Sequence, residues 1–237
     1  VPYSDTGGYL RSARAVSNGF ENYDGTRTPI YPIFIAIMGS EKAIYAGQLF
    51  LGLCITAAWF LIGYKASGRP VFGALIALAH SLNPGQFFFE ANLLTETLAT
   101  FWLMLSFLGA YFWLSETDNP SIWLGFGIGV SAALGALTRP QFIFMPVLLA
   151  LFLAFSFQDG HLKFNWRPIV GVLLPALVLI GGWMSWIHSR YHVFSVTTMS
   201  GFHLVQHTGY YFEDVTDEYT ALRDVYLDYR QERIQTY

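Results

Sequence analysis

From Lys42 to Arg190 the chain repeats one pattern, a long apolar run and then a short polar break. No Lys, Arg, Asp or Glu lies between Lys42 and Lys65, Arg69 and Glu90, Glu96 and Glu116, Asp118 and Arg139, Arg139 and Asp159, or Arg167 and Arg190. Each gap is close to the ~20 residues that carry a helix across a ~30 Å hydrocarbon core. Backbone groups in lipid must be satisfied within the segment, and runs such as PVLLALFLAFSF do not alternate as a barrel strand does. The pattern predicts an all-α polytopic membrane protein with about six transmembrane helices. Asn83-Pro84-Gly85 interrupts the second near its end.

The flanks read differently, which divides the chain into a first outer loop (1–40), a helix bundle (41–189) and a second outer segment (190–237). YLRSARAVSNG is a short helix candidate ended by Gly19. Pro29 and Pro32 then start an apolar helix too short to cross, which fits the membrane surface. In DEYTALRDVYLDYRQERI, Tyr219, Leu222, Tyr226 and Tyr229 recur at helical spacing with charges between, predicting an amphipathic helix outside the membrane.

Composition agrees with the pattern. The chain is 54% hydrophobic and 12% charged, against about 25% charged in a typical soluble domain. A net charge of −3 with no basic stripe gives no sign of nucleic-acid binding. The single Cys54 excludes an intrachain disulfide. Val1 in place of Met, and the tail QERIQTY, predict a piece of a longer protein that lacks an upstream span and a C-terminal part. With the first loop outside, the inner loops YKASGRP and QDGHLKFNWR hold Lys65, Arg69, Lys163 and Arg167, a positive-inside bias that the acidic SETDNP weakens. Trp59, Trp113, Trp123 and Trp166 fall near the inner interface, and Trp102, Trp183 and Trp186 near the outer one.

No phosphate-loop, HExxH or CxxC motif occurs. Gly125 and Gly129 form a GxxxG that predicts close helix packing. The remaining ionisable residues fall on one side. Asp5, Arg11, Arg14 and Arg27 come from the first outer loop, Glu90 and Glu96 from the second, Arg139 from the third, and Arg190, His203 and His207 from the last. Four loops placing such groups at one face predict a site there, although each residue alone also reads as a loop side chain meeting water. Asp5 before GGYLRSAR fits a helix N-cap, and Asn92 could cap the helix carrying Glu96 in its first turn. Arg27 and Arg139 suit an anion or the lipid headgroups. Glu90 lies about 120° from Glu96 around a continuous helix. His203 and His207, four apart, could face one way, but two histidines do not make a metal site.

SDTGGYLRSARAVSNG followed by RTPIYPIFIAIMGSEKAIYAGQL resembles the first outer loop of GT-C glycosyltransferases. The likeness is to glycosyltransferase family 39 and its neighbours, the bacterial relatives of protein O-mannosyltransferases and lipid A aminoarabinose transferases. NPGQFFFEANLLTETLATFWL, GALTRPQFIFMPVLL and WIHSRYHVFSVTTMSGFHL follow in the family's order. The resemblance implies an inverting transferase that uses a polyprenyl-phosphate-linked sugar donor and a lipid, glycan or protein acceptor. Its site would face the extracytoplasmic side of the bacterial inner membrane. Asp5 would be the general base and Glu96 a second acid, with Arg139 and Arg27 on the donor phosphate. Tyr9, Glu90, Arg190, His203 and His207 are candidates for substrate contact. Where the mannosyltransferases carry Asp-Glu, this chain has Asp5-Thr6, which keeps single-base chemistry and leaves the sugar and any divalent metal open.

The competing reading is a polytopic transporter or flippase. Such proteins place ionisable groups or broken helices near the bilayer midplane. Here charges avoid the span centres, and Pro146 and Pro175 have no charge beside them. Under the transferase reading, Asp5, Glu96 and Arg139 should converge on one outer cavity.

Overall fold

The computed structural model describes residues 5–115, 120–158, 161–201 and 209–236. Helices carry the fold. Two short ones come first, α1 (Thr6–Ser17) and α2 (Ile30–Met38). The bundle follows: α3 (Glu41–Ser67), α4 (Pro70–Ser81), α5 (Pro84–Glu90), α6 (Glu96–Ser115), α7 (Ile122–Thr138), α8 (Met145–Ala154) and α9 (Arg167–Tyr191). A tail helix, α10, spans Thr220–Thr236.

Local chemistry sets these boundaries. Gly39 ends α2 in the left-handed conformation at φ 70°, which glycine adopts without penalty. Ser40 then caps α3, accepting the Ala43 N–H. Arg69 is extended before Pro70 opens α4, and Asn83 caps α5 ahead of Pro84. Proline is favoured at a first helical position because no N–H partner is lost there.

Among the described residues, three helices are long and apolar enough to cross a membrane: α3, α6 and α9, with 27, 20 and 25 residues. The other three charge-free gaps hold shorter helices. α4 stops after 12 residues at the Asn83-Pro84 break, and α7 has 17. α8 has 10, because a 3-10 turn (Pro140–Phe142) precedes it and an antiparallel hairpin follows. That hairpin pairs β1 (Phe155–Gln158) with β2 (His161–Phe164) where the sequence suggests a plain loop.

Small residues set the tightest packing. Gly125 of α7 lies against Gly171 of α9, and a Cβ on Gly129 would run into the Val172 carbonyl. Ala132, Ala133 and Ala136 are fully buried along the same helix. The Ser106 hydroxyl donates to Ser131 at 3.0 Å, joining α6 to α7. Trp113, placed in the inner aromatic belt by sequence, is instead buried in this core, whereas Trp123 and Trp166 are exposed.

A second core forms where α1 and α2 pack on α3 and α6, around Ala13, Tyr31, Ile35, Ile44 and Leu98. At its centre Gln48 of α3 is wholly buried. Its Oε1 accepts the Tyr31 hydroxyl at 2.9 Å. Its amide donates to the carbonyls of Phe89, Glu90 and Asn92 at 3.1, 3.1 and 2.7 Å. One side chain thus fixes the bend between α5 and α6 against the first outer segment. α10 packs on its own approach segment, with Phe212 stacked on Tyr226, and leaves Leu222, Val225 and Tyr229 exposed.

Candidate functional site

The start of α1, the segment after it, the start of α6 and the end of α7 meet at one end of the bundle. Asp5 occupies the N-cap position of α1, but its side chain makes no capping bond. Its Oδ1 accepts instead from Nη2 of Arg27 at 2.7 Å. Gly8 makes room for this, since a Cβ there would lie 3.3 Å from that same Nη2. The Arg27 guanidinium also sits 4.8 Å from the centre of the Tyr9 ring. Cation and ring attract through the ring's quadrupole.

Arg27 is held from behind. The Tyr23 hydroxyl donates to the Arg27 carbonyl at 2.9 Å. Tyr23 itself is buried edge-on to Trp183 and Trp186 of α9, which stack on each other at 4.8 Å. Gly25 turns the chain at φ 69°, and its carbonyl accepts the Thr198 N–H at 2.9 Å. Thr28 donates to the Thr138 carbonyl at 2.9 Å, which ties this segment to the end of α7.

The second half of the site begins there. Arg139 follows α7 in an extended conformation before Pro140 and forms an ion pair with Glu96. Both side chains are mostly buried, 29% and 25% exposed. Tyr9 bridges the halves: its hydroxyl bonds Thr95, and Asp5, Arg27 and Glu96 all act on it electrostatically. Burial raises the Tyr9 pKa above the ordinary phenol value, against the opposing pull of Arg27 and Thr95. It is therefore a neutral hydroxyl at physiological pH. Burial likewise pushes Tyr23 and Tyr31 well above the usual phenol range.

Asp5, Tyr9, Arg27, Glu96 and Arg139 thus lie together as two ion pairs around a phenol. A cavity opens beside the Glu96–Arg139 pair, but Asp5 is not among its lining residues, so the expected convergence of Asp5, Glu96 and Arg139 on one cavity is not met. Asn92 does not cap α6; its amide turns back to the Phe88 carbonyl at 2.7 Å, and Thr95 precedes the helix. Glu90 stands apart at the end of α5. Its carboxylate fills the notch at Gly52 of α3 and accepts from Gln86 at 2.5 Å.

Arg190 serves the scaffold. It donates to the Phe20 carbonyl at 3.1 Å and lies over Trp186 at 4.9 Å. His203 and His207 lie outside the described residues. Among the described residues no three His, Cys, Asp or Glu side chains gather as a metal-ligand group.

Sequence reasoning missed the uncharged partners Tyr23, Gln48, Thr95 and Gln86, and it missed Gln141 in the cavity wall. A signal existed for Gln48, an amide in an otherwise apolar span. No family model, curated protein or solved structure matches this chain.

Proposed function

We propose that the chain forms the catalytic end of a GT-C-like membrane glycosyltransferase. It would move a sugar from a polyprenyl-phosphate donor to an acceptor hydroxyl at the extracytoplasmic face. The observation that carries this reading is the Asp5–Arg27 pair beside Tyr9 at one end of an apolar bundle. It places a carboxylate next to a cation where a lipid-borne substrate can arrive.

In the proposed step the acceptor oxygen attacks the anomeric carbon as the bond to the phosphate oxygen breaks. The electron pair leaves with the phosphate, and the free Oδ2 of Asp5 takes the acceptor proton. A departing phosphate is already anionic and needs no proton, so one carboxylate suffices where glycoside hydrolysis uses two. Arg27 keeps N–H donors beyond the one used on Asp5 and would meet the phosphate charge. Arg139 holds Glu96.

The reading includes six membrane passes. α3, α6 and α9 would cross as single helices, α4 with α5 as a broken one, and α7 and α8 as short ones. Lys65, Arg69 and Arg167 lie at the end of the bundle away from the site, which favours placing that end in the cytoplasm.

The break between α4 and α5 supports the transporter alternative, since discontinuous helices are common at transport sites. One experiment separates the two. The full-length protein in membranes is supplied with polyprenyl-phosphate sugars, and donor consumption is followed for wild type and Asp5→Asn. Consumption by wild type and loss in Asp5→Asn supports transfer. Equal consumption removes Asp5 as the base. Translocation of the intact donor across the membrane without consumption supports the transporter.

A further inference from the structure

Between α5, the start of α6 and the 3-10 turn lies a half-open cavity of about 250 Å³. Its charged wall is the Glu96–Arg139 pair. Its other polar groups include three amides, Asn83, Gln86 and Gln141. Asn83 uses its Oδ1 on the Gly85 N–H at 2.9 Å and keeps its N–H donors. Gln86 uses its amide nitrogen on Glu90 and keeps its oxygen as an acceptor. The Gln141 side chain makes no hydrogen bond among the described residues, so both ends of its amide remain to a ligand. Phe89 and Phe142 supply apolar wall.

This lining does not suit a phosphate. The one cation in it is already neutralised by Glu96, and an incoming anion would have to break a mostly buried pair. It does suit hydroxyl groups, each of which donates and accepts at once. The volume lies below the ~300–1,000 Å³ of sites for larger ligands, which fits one ring and not a lipid chain. We propose that this cavity seats a neutral, hydroxyl-rich ring of the sugar class, and that Arg139 positions Glu96 without binding phosphate. The proposal rests on the transferase reading for its biological role, but its binding chemistry stands apart from catalysis.

The test is saturation-transfer NMR on the full-length protein in lipid nanodiscs, with methyl hexopyranosides as probes and inorganic phosphate as competitor. Wild type should transfer saturation to the ring protons. Gln141→Leu, which removes no internal hydrogen bond, should lower the signal at least about fivefold. Asp5→Asn, outside the cavity, should keep it, and millimolar phosphate should not displace the glycoside. Thermal unfolding of each variant checks that it folds. No transfer in wild type, an undiminished signal in Gln141→Leu, or displacement by phosphate would each overturn the proposal. Glycoside binding without donor consumption leaves the cavity standing and removes the transferase reading. Donor consumption without glycoside binding does the reverse.

Discussion

Arg27 reaches back across 22 residues to donate to Asp5 at 2.7 Å, and the carboxylate at the head of α1 caps nothing. A side chain placed for helix stability would turn to its own backbone. This one turns to a cation and leaves its second oxygen open.

Under the proposed transferase reading, Asp5→Asn should lower transfer by about 10²–10⁴-fold, the usual contribution of a positioned base. Stability should change by less than about 1 kcal/mol, because Asp5 is more than half exposed and such pairs are screened by water. Donor turnover and thermal unfolding, measured on the same sample, check both parts.

The Glu96–Arg139 pair should behave differently. Removing one partner strands a mostly buried charge, so Glu96→Gln and Arg139→Gln should each destabilise more than the double variant's cost implies. A double-mutant cycle on unfolding free energy should give a coupling of roughly 1–3 kcal/mol. A coupling near zero would mean that the pair is not formed.

Gln48→Leu should be the most disruptive single change near the site. It leaves three backbone carbonyls and the Tyr31 hydroxyl without their partner. Unsatisfied buried groups cost about 1–3 kcal/mol each, so a loss of roughly 2 kcal/mol or more is expected. Tyr31→Phe, which removes one of these bonds, should cost about 1 kcal/mol. Chemical denaturation in detergent gives the ranking, and the reverse order would refute the clamp.

Gly129→Val should push α7 from α9, because even a Cβ there collides with the Val172 carbonyl. A loss of about 1–3 kcal/mol or failure to fold is expected. Gly127→Val, at a position with open space around it, should be far milder.

High pH should weaken the fold through Tyr23. Burial raises its pKa well above the ordinary phenol value of about 10, with Asp24 adding to the effect. Between the unfolded and folded values, the folded state holds the proton more tightly than the unfolded chain. Stability is then complete below about pH 10 and falls as pH rises beyond it. Melting temperature followed from pH 8 to 11 should drop more steeply in wild type than in Tyr23→Phe.

Charge made half of the site legible in sequence. Asp5, Arg27, Glu96 and Arg139 stand out because little else in the chain is ionised. Their pairing was not legible, since Glu96 and Arg139 are joined only by the fold. Gln48 and Gln141 escaped because an amide has no charge to mark it, and its role depends on the carbonyls or open space around it. Counting residues between charges matched α3, α6 and α9 but overstated α4, α7 and α8. The gap from Arg139 to Asp159 contains a 3-10 turn and the start of a hairpin as well as α8. Trp113 carries the same indole as Trp123, and only packing sends one inward.

The Gln48 clamp also bears on motion. Tyr31 sits on α2, Gln48 on α3, and the three accepting carbonyls at the approach to α6. A slide of α3 along its axis would drag all of them together. This half of the molecule is thus geared as a single block, and any opening that admits a substrate has to come from displacement of its neighbours.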